Sequence, residues 1–75
     1  MNIKLQTARQ KAGKTQKQIA KAVGVTELSY QRYEHDQRVP NVKTAIRIAN
    51  ALNKTVEELF GAATQNSPKN NSVEQ

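Results

Sequence analysis

Apolar residues in the first sixty positions recur at intervals of three and four, which predicts short amphipathic helices and no strands. In the predicted first helix the residues with helical spacing are Ile3, Leu5, Ala8 and Ala12, and the core face of the fourth is Val42, Ala45, Ile48, Ala49 and Leu52. Short loops separate five such segments. We therefore expect a compact all-α domain of five helices over residues 1–61.

Residues with helix-capping chemistry mark where these helices begin and end. Thr15, Thr26, Asn41 and Thr55 each precede an apolar segment and are good N-caps. Gln18 and Glu58 stand three residues after a threonine, which is the capping-box pattern. Gly13, Gly24 and Gly61 end helices. Residues 62–75 are mostly polar, and this composition predicts a disordered C-terminal tail.

Residues 16–35 have the composition of two helices packed across a tight turn. Ala20 is small enough to let a second helix cross closely, and Gly24, four residues later, suits the turn. This pattern predicts a helix-turn-helix. Its expected core is Ile19, Ala20, Val23, Gly24, Val25, Tyr30 and Tyr33.

A helical wheel divides the helix that follows this turn into two faces. At 100° per residue, Tyr30, Tyr33 and Thr26 fall on the inner face, and Glu34 borders them. The outer face holds Leu28, Gln31, Arg32 and His35, with Glu27 on its flank in the first turn.

Charge adds a partner class to this picture. The chain has 12 Lys and Arg against 6 Asp and Glu. Residues 1–56 hold 11 of the bases and 3 of the acids, which leaves a net +8 there. Such a field favours nucleic acid, less often an anionic membrane surface, over a merely soluble basic domain. The chain has no cysteine and no long apolar run, so we expect a cytoplasmic protein.

Two stretches carry a resemblance to a known family. "KTQKQIAKAVGVTELSYQRYE" and "RVPNVKTAIRIANALNKTVEELF" resemble, in register over residues 3–60, the phage lambda Cro/repressor-like (Xre-type) helix-turn-helix DNA-binding regulators. The resemblance implies a lambda-repressor-like domain whose third helix enters the DNA major groove. It also implies an ion pair between Arg9 and Glu34.

Site residues follow from the resemblance and from side-chain chemistry. Base contacts are expected from the outer, N-terminal part of the third helix, namely from Thr26, Glu27, Leu28, Gln31 and Arg32. Arginine can pair with guanine and glutamine with adenine, an aliphatic group can contact the thymine methyl, and a carboxylate can accept from cytosine. Phosphate contacts are expected from helix starts and basic side chains, namely Gln16, Lys17, Arg38, Asn41 and Lys43.

Three positions depart from the family pattern. Tyr30 and Tyr33 replace the usual aliphatic residues, and each hydroxyl needs water or a partner. Asp36 replaces a common glycine. Aspartate tolerates left-handed backbone better than most residues, so we expect the turn to be kept.

The leading hypothesis is a sequence-specific transcriptional regulator, a repressor that binds a palindromic operator in double-stranded DNA as a homodimer. Its dimer surface would involve residues 56–60, although Leu59 and Phe60 suit a core equally well. The alternatives are an antitoxin with a toxin partner and a nonspecific nucleic-acid binder. His35 stands alone and no catalytic or metal-binding set is visible. We therefore expect no enzyme activity and no cofactor.

Overall fold

The computed structural model describes residues 1–61, which form five α-helices and no strand. The helices are α1 (Ile3–Lys11), α2 (Gln16–Val23), α3 (Glu27–Glu34), α4 (Val42–Leu52) and α5 (Val56–Phe60). The prediction of an all-α, five-helix fold is confirmed. The predicted boundary at residue 61 remains a prediction, and the predicted disordered tail, 62–75, lies outside the described residues.

Polar N-caps begin every one of the five helices. The side chains of Asn2, Thr15, Thr26, Asn41 and Thr55 each accept a hydrogen bond from a backbone amide in the first turn. Complete capping boxes join Thr15 to Gln18 and Thr55 to Glu58. These bonds satisfy amides that have no partner within the helix. Sequence reasoning predicted four of the caps and missed Asn2.

Left-handed backbone makes the turns between helices short. Gly24 has φ +81° at the end of α2, where a residue with a Cβ would be strained. Asp36 and Asn53 adopt φ 58° and 56° after α3 and α4. Both are residue types that tolerate this region. Asp36 therefore keeps the turn that is commonly made by glycine.

The core joins all five helices. Its best-buried side chains come from α1, α2, α3, α4 and α5 in turn and are Leu5, Ile19, Tyr30, Ile48 and Leu59. Helices α2 and α3 pack against each other, α4 packs against α2, and α5 closes the bundle against α1 and α4. The result is a frame that holds α3 on one side against α2 and α1.

Val42 was predicted on the core face of the fourth helix and is exposed, so that prediction was wrong; Ile3 and Ala12 of the first helical pattern are exposed as well. Ile3 and Val42 are 59% and 61% exposed, and Ala12 is also exposed. Ile3 and Val42 are the first residues of their helices. At 100° per residue Ile3 lies about 160° from the buried Leu5, on the other side of α1. Ala12 is the C-cap of α1 and lies outside its last helical turn. Helical periodicity gives the direction of a side chain and not the extent of the surface that covers it.

Within the described range, the longest helix has 11 residues, and none is long and apolar enough to cross a membrane.

Candidate nucleic-acid interface

The α2–α3 pair is a helix-turn-helix closed by backbone hydrogen bonds. The amides of Gly24 and Val25 both donate to the Ala20 carbonyl, at 3.0 Å each. The Ala20 side chain is only 2% exposed. A longer side chain there would push against the packed interior, so the small residue sets how closely the helices approach. The turn fixes the direction in which α3 leaves α2.

Helix α3 has a buried face and an exposed face. Tyr30 and Tyr33 are buried, with ring centroids 6.4 Å apart in an edge-to-face arrangement. On the opposite side Leu28 is 56% exposed and is one of several large apolar side chains that the domain leaves at its surface. The structure also leaves Glu27, Arg32 and His35 exposed and Gln31 half-buried.

Thr26 does not belong to the inner face, and the helical wheel was wrong for this residue. It is the N-cap of α3, has extended backbone (φ −74°, ψ 156°) and is exposed. A helical wheel applies only to residues with helical backbone, which explains the error. Its hydroxyl accepts from the Ser29 amide at 3.1 Å and donates to Ser29 Oγ at 3.0 Å. The cap therefore already uses this hydroxyl.

Glu34 connects the first three helices. Its side chain is 1% exposed. Oε2 lies 2.6 Å from Arg9 Nε on α1, and Oε1 accepts from Gln16 Nε2 on α2 at 3.0 Å. Arg9 Nη1 also donates to the Lys14 carbonyl at 2.9 Å, in the loop before α2. A single buried carboxylate on α3 thus holds the positions of α1 and α2.

The surroundings of Glu34 keep it ionised. Burial alone would raise its pKa, but the Arg9 hydrogen bond and the dipoles of Tyr30 and Gln16 outweigh burial and hold the pKa below its ordinary value. The same hydrogen bond raises the pKa of Arg9. The folded domain therefore holds this site as a charged pair.

The Tyr30 hydroxyl is a buried polar atom beside this pair. Burial first, and then the neighbouring Glu34 carboxylate, raise the pKa of Tyr30 far above its ordinary value. Its oxygen is buried and makes no hydrogen bond of acceptable geometry within residues 1–61. The hydrogen-bond partner expected for this hydroxyl is thus not found among these residues. An aliphatic side chain, which is usual at this position, would not require one.

The expected phosphate-binding residues lie at two helix starts and in one loop. Gln16 is the half-buried first residue of α2, next to the exposed Lys17. Asn41 caps α4 through its Oδ1 atom, which accepts from the Thr44 amide at 2.8 Å. The cap does not use its Nδ2 group. Lys43 in the first turn of α4 and Arg38 in the preceding loop are exposed. Neither α2 nor α4 has an acidic residue in its first turn, so the positive ends of both helix dipoles are uncompensated.

Two N-terminal residues that sequence reasoning missed fasten the end of α3. The Asn2 amide donates to the Glu34 carbonyl at 2.7 Å, and Asn2 Nδ2 donates to the Leu59 carbonyl at 2.8 Å. The N-terminal ammonium of Met1 lies 2.8 Å from Asp36 Oδ2. The position of Asn2 just before an apolar helical segment was a signal for the cap. Its bonds to α3 and α5 join distant parts of the chain and had no signal in the local sequence.

The closing helix divides between core and surface. Leu59 is 2% exposed and belongs to the core, whereas Val56 and Phe60 are only partly buried. Of the apolar residues in the segment considered for a dimer surface, these two remain partly accessible. Across residues 1–61, no group of three or more His, Cys, Asp and Glu side chains comes together to hold a metal ion.

Comparison with known families identifies the class of protein that this fold and surface define. A family model described as helix-turn-helix matches residues 5–59, which includes nearly all of α1 to α5. The chain belongs to this helix-turn-helix family, the Xre-type family that its sequence resembles.

Two curated relatives give this membership more detail. The cryptic phage CTXphi transcriptional repressor RstR of Vibrio cholerae is 36% identical over 63 residues, covering 81% of this chain and 56% of that protein. The HTH-type transcriptional regulator ImmR of Bacillus subtilis is 36% identical over 58 residues, covering 77% of this chain and 46% of that protein. This chain thus spans about half the length of these relatives. Both names describe transcriptional regulators, in agreement with the prediction that the chain is not an enzyme. No solved structure matches significantly.

Proposed function

We propose that this protein is a sequence-specific DNA-binding transcriptional regulator that reads DNA with α3. The observation that carries the proposal is the division of α3, with Tyr30 and Tyr33 buried against the frame and Leu28 and Arg32 exposed on the opposite side. A helix held in this way can enter the major groove, which is wide enough for an α-helix. Its first turns would lie nearest the bases.

Each exposed side chain of α3 has a chemistry suited to a base edge. The Arg32 guanidinium can donate two hydrogen bonds to guanine, and the Gln31 amide can pair with adenine. Leu28 can contact a thymine methyl, which would account for its exposure. Glu27 can accept from a cytosine amino group, and its charge would penalise other bases. The Thr26 hydroxyl already donates to Ser29, so it would contact a base as an acceptor through its remaining lone pair.

Phosphate contacts would position this helix in the groove. Gln16 and Lys17 at the start of α2 and Asn41 and Lys43 at the start of α4 combine free amides with positive dipole ends. Arg38 would add a charge from the loop between α3 and α4. Because Gln16 already donates to Glu34, its amide is oriented before DNA arrives and loses less side-chain entropy on binding.

A repressor acting as a homodimer on a palindromic operator is the form of regulation we propose. The similarity to a phage protein named as a transcriptional repressor supports repression. One recognition helix of this kind reads only a half-site, so two copies placed about one helical turn apart would provide the specificity. Val56 and Phe60, the accessible apolar residues of α5, would contribute to the contact between copies. We expect this regulator to act in the cytoplasm.

Selection from random duplex DNA tests this proposal. At about 0.15 M salt, the full chain should enrich one motif with two inverted half-sites. Enrichment of a motif with a single half-site would support base reading by α3 but would refute binding to a palindrome as a dimer. If no motif is enriched, the protein is a nonspecific nucleic-acid binder and the regulator proposal fails.

A further inference from the structure

A groove between α1 and α5 is a surface feature that the proposed DNA contacts do not use. Its volume is about 390 Å³, and its wall residues come from α1, α5 and the turn before α5. Ile3, which is 59% exposed, stands at one side, and Leu59, of which only 2% is exposed, closes the floor. The groove therefore offers an apolar surface to a partner.

Lysines surround this apolar floor. Lys4 and Lys11 lie on one side of α1 with Ile3, and Lys54 precedes α5 on the other side of the groove. The acid on the rim is Glu58, and its carboxylate accepts from the Thr55 amide at 2.8 Å in the α5 capping box. Three lysines thus face the groove against one carboxylate that already has a partner.

These lysines are not among the proposed DNA contacts. No residue of α2, of α3 or of the loop between α3 and α4 lines the groove. A phosphate-binding surface needs hydrogen-bond donors and positive charge. The groove has the positive charge, but it also has an exposed apolar side chain, Ile3, which a phosphate would not use. Protein segments with acids around an apolar anchor have the complementary chemistry.

We propose that the α1–α5 groove is a docking site for a partner protein that presents an acidic segment with at least one large apolar side chain. The apolar anchor would pack on the exposed side chain of Ile3, and flanking Asp or Glu side chains would pair with Lys4, Lys11 and Lys54. A partner docked there would leave α3 uncovered. The site is independent of DNA reading and does not require the proposed regulator function.

Charge argues against the chain's own C-terminal segment as the occupant. Gly61, the last described residue, lines a depression next to the groove that also includes Ile3 and Leu59, so the following segment starts nearby. That segment, residues 62–75, carries one lysine and one glutamate and has no aromatic, leucine or isoleucine side chain. It supplies neither the acids nor the large apolar anchor that the groove calls for.

Selection from a library of random peptides on the immobilised full chain tests the proposal. The enriched peptides should contain clustered acids next to a large apolar residue. By fluorescence anisotropy, the triple variant Lys4→Glu/Lys11→Glu/Lys54→Glu should bind the best peptide at least about tenfold more weakly. The matched control Lys14→Glu/Lys17→Glu/Lys21→Glu makes the same change in net charge outside the groove and should have a much smaller effect.

A second variant keeps the test valid if the triple variant unfolds. Ile3→Ser removes an exposed side chain, so it should leave thermal melting almost unchanged and still weaken peptide binding. Peptides that bind the groove variants and the wild type equally, or no acidic enrichment at all, would overturn the proposal.

Nuclear magnetic resonance on the full chain identifies the other possible occupants. We expect the peptide to shift the signals of Ile3, Thr7 and Lys54. Contacts of residues 62–75 with Ile3 in the free protein would assign the groove to the tail. Shifts in the groove that depend on protein concentration without peptide would assign it to a second copy. Displacement of the peptide by duplex DNA would assign it to DNA, and each of these three results would refute the proposal.

Discussion

Arg9 Nε on α1 lies 2.6 Å from Glu34 Oε2 at the end of α3, and the carboxylate is 1% exposed. The pair connects the first helix to the helix that we propose reads DNA. Burying two charges is costly, so the intact pair need not add much net stability. Its loss on one side is a different matter, because the remaining charge stays buried without its partner.

Removing one partner of this pair should destabilise the domain strongly. We expect Arg9→Met to lower the free energy of unfolding by about 3–5 kcal/mol. Adding Glu34→Gln to Arg9→Met should restore part of the loss, since the double variant no longer buries an unpaired carboxylate. Urea denaturation of the two single variants and the double variant measures the coupling. Additive single effects would show that the two side chains do not interact.

The lowered pKa of Glu34 predicts a loss of stability in acid. Because the folded-state pKa lies below the ordinary value of 4.5, the unfolded chain takes up the proton first as pH falls. The stabilisation is therefore complete above that value and is lost as pH falls through it toward the folded-state pKa. The difference in unfolding free energy between wild type and Glu34→Gln should shrink in this window. Glu58, whose pKa is also lowered, is present in both proteins and cancels. A difference that stays constant with pH would contradict this assignment.

The close approach of α2 and α3 depends on the small side chain of Ala20. Ala20→Leu should reduce stability by about 1–3 kcal/mol, because the site has no room for three more carbons. Ala22→Leu is the matched control on the same helix, where the alanine is exposed. Thermal melting should separate the two variants. Equal melting temperatures would show that the crossing point lies elsewhere.

Lys43 and Lys11 test which lysines contact DNA phosphates. Lys43→Ala should weaken binding to all duplexes alike and reduce the slope of log affinity against log salt by about 1. Lys11→Ala removes the same charge from the α1–α5 groove and should leave that slope nearly unchanged. Titrations at several salt concentrations measure both. If the two variants lose affinity equally, the basic field acts as a whole and the proposed phosphate contacts are wrong.

Local chemistry made much of this fold predictable. Thr15 and Thr55 begin helices because their side chains satisfy the first free amides, and Gly24 ends one because it tolerates positive φ. These effects lie within a few residues and are visible in the sequence. The exposure of Val42 was not predictable in this way, since it depends on where the neighbouring helices stop. The links from Asn2 to Glu34 and Leu59 span 32 and 57 positions and need the folded chain.

The residues of the candidate site were predicted from the sequence, but only some of their contacts were. The resemblance to the family paired Arg9 with Glu34 and gave Gln16 a separate role at a phosphate, whereas the structure brings all three together at one carboxylate. The wheel assigned Leu28 and Arg32 to the outer face correctly because both residues have helical backbone within α3. It misplaced Thr26 because an N-cap has extended backbone. Which base each side chain contacts depends on the position of the DNA, and this remains a prediction.

The central claim is that α3 reads bases, and the specificity of Gln31→Ala tests it most directly. Random-duplex selection should be run in parallel on wild type, on Gln31→Ala and on Gln10→Ala, an exposed glutamine of α1. We predict that Gln31→Ala relaxes the preference at about one base pair of each half-site and costs ~1–3 kcal/mol on the wild-type motif, while Gln10→Ala reproduces that motif. An unchanged motif with Gln31→Ala, or an equal loss of affinity for every duplex, would contradict base reading by this residue.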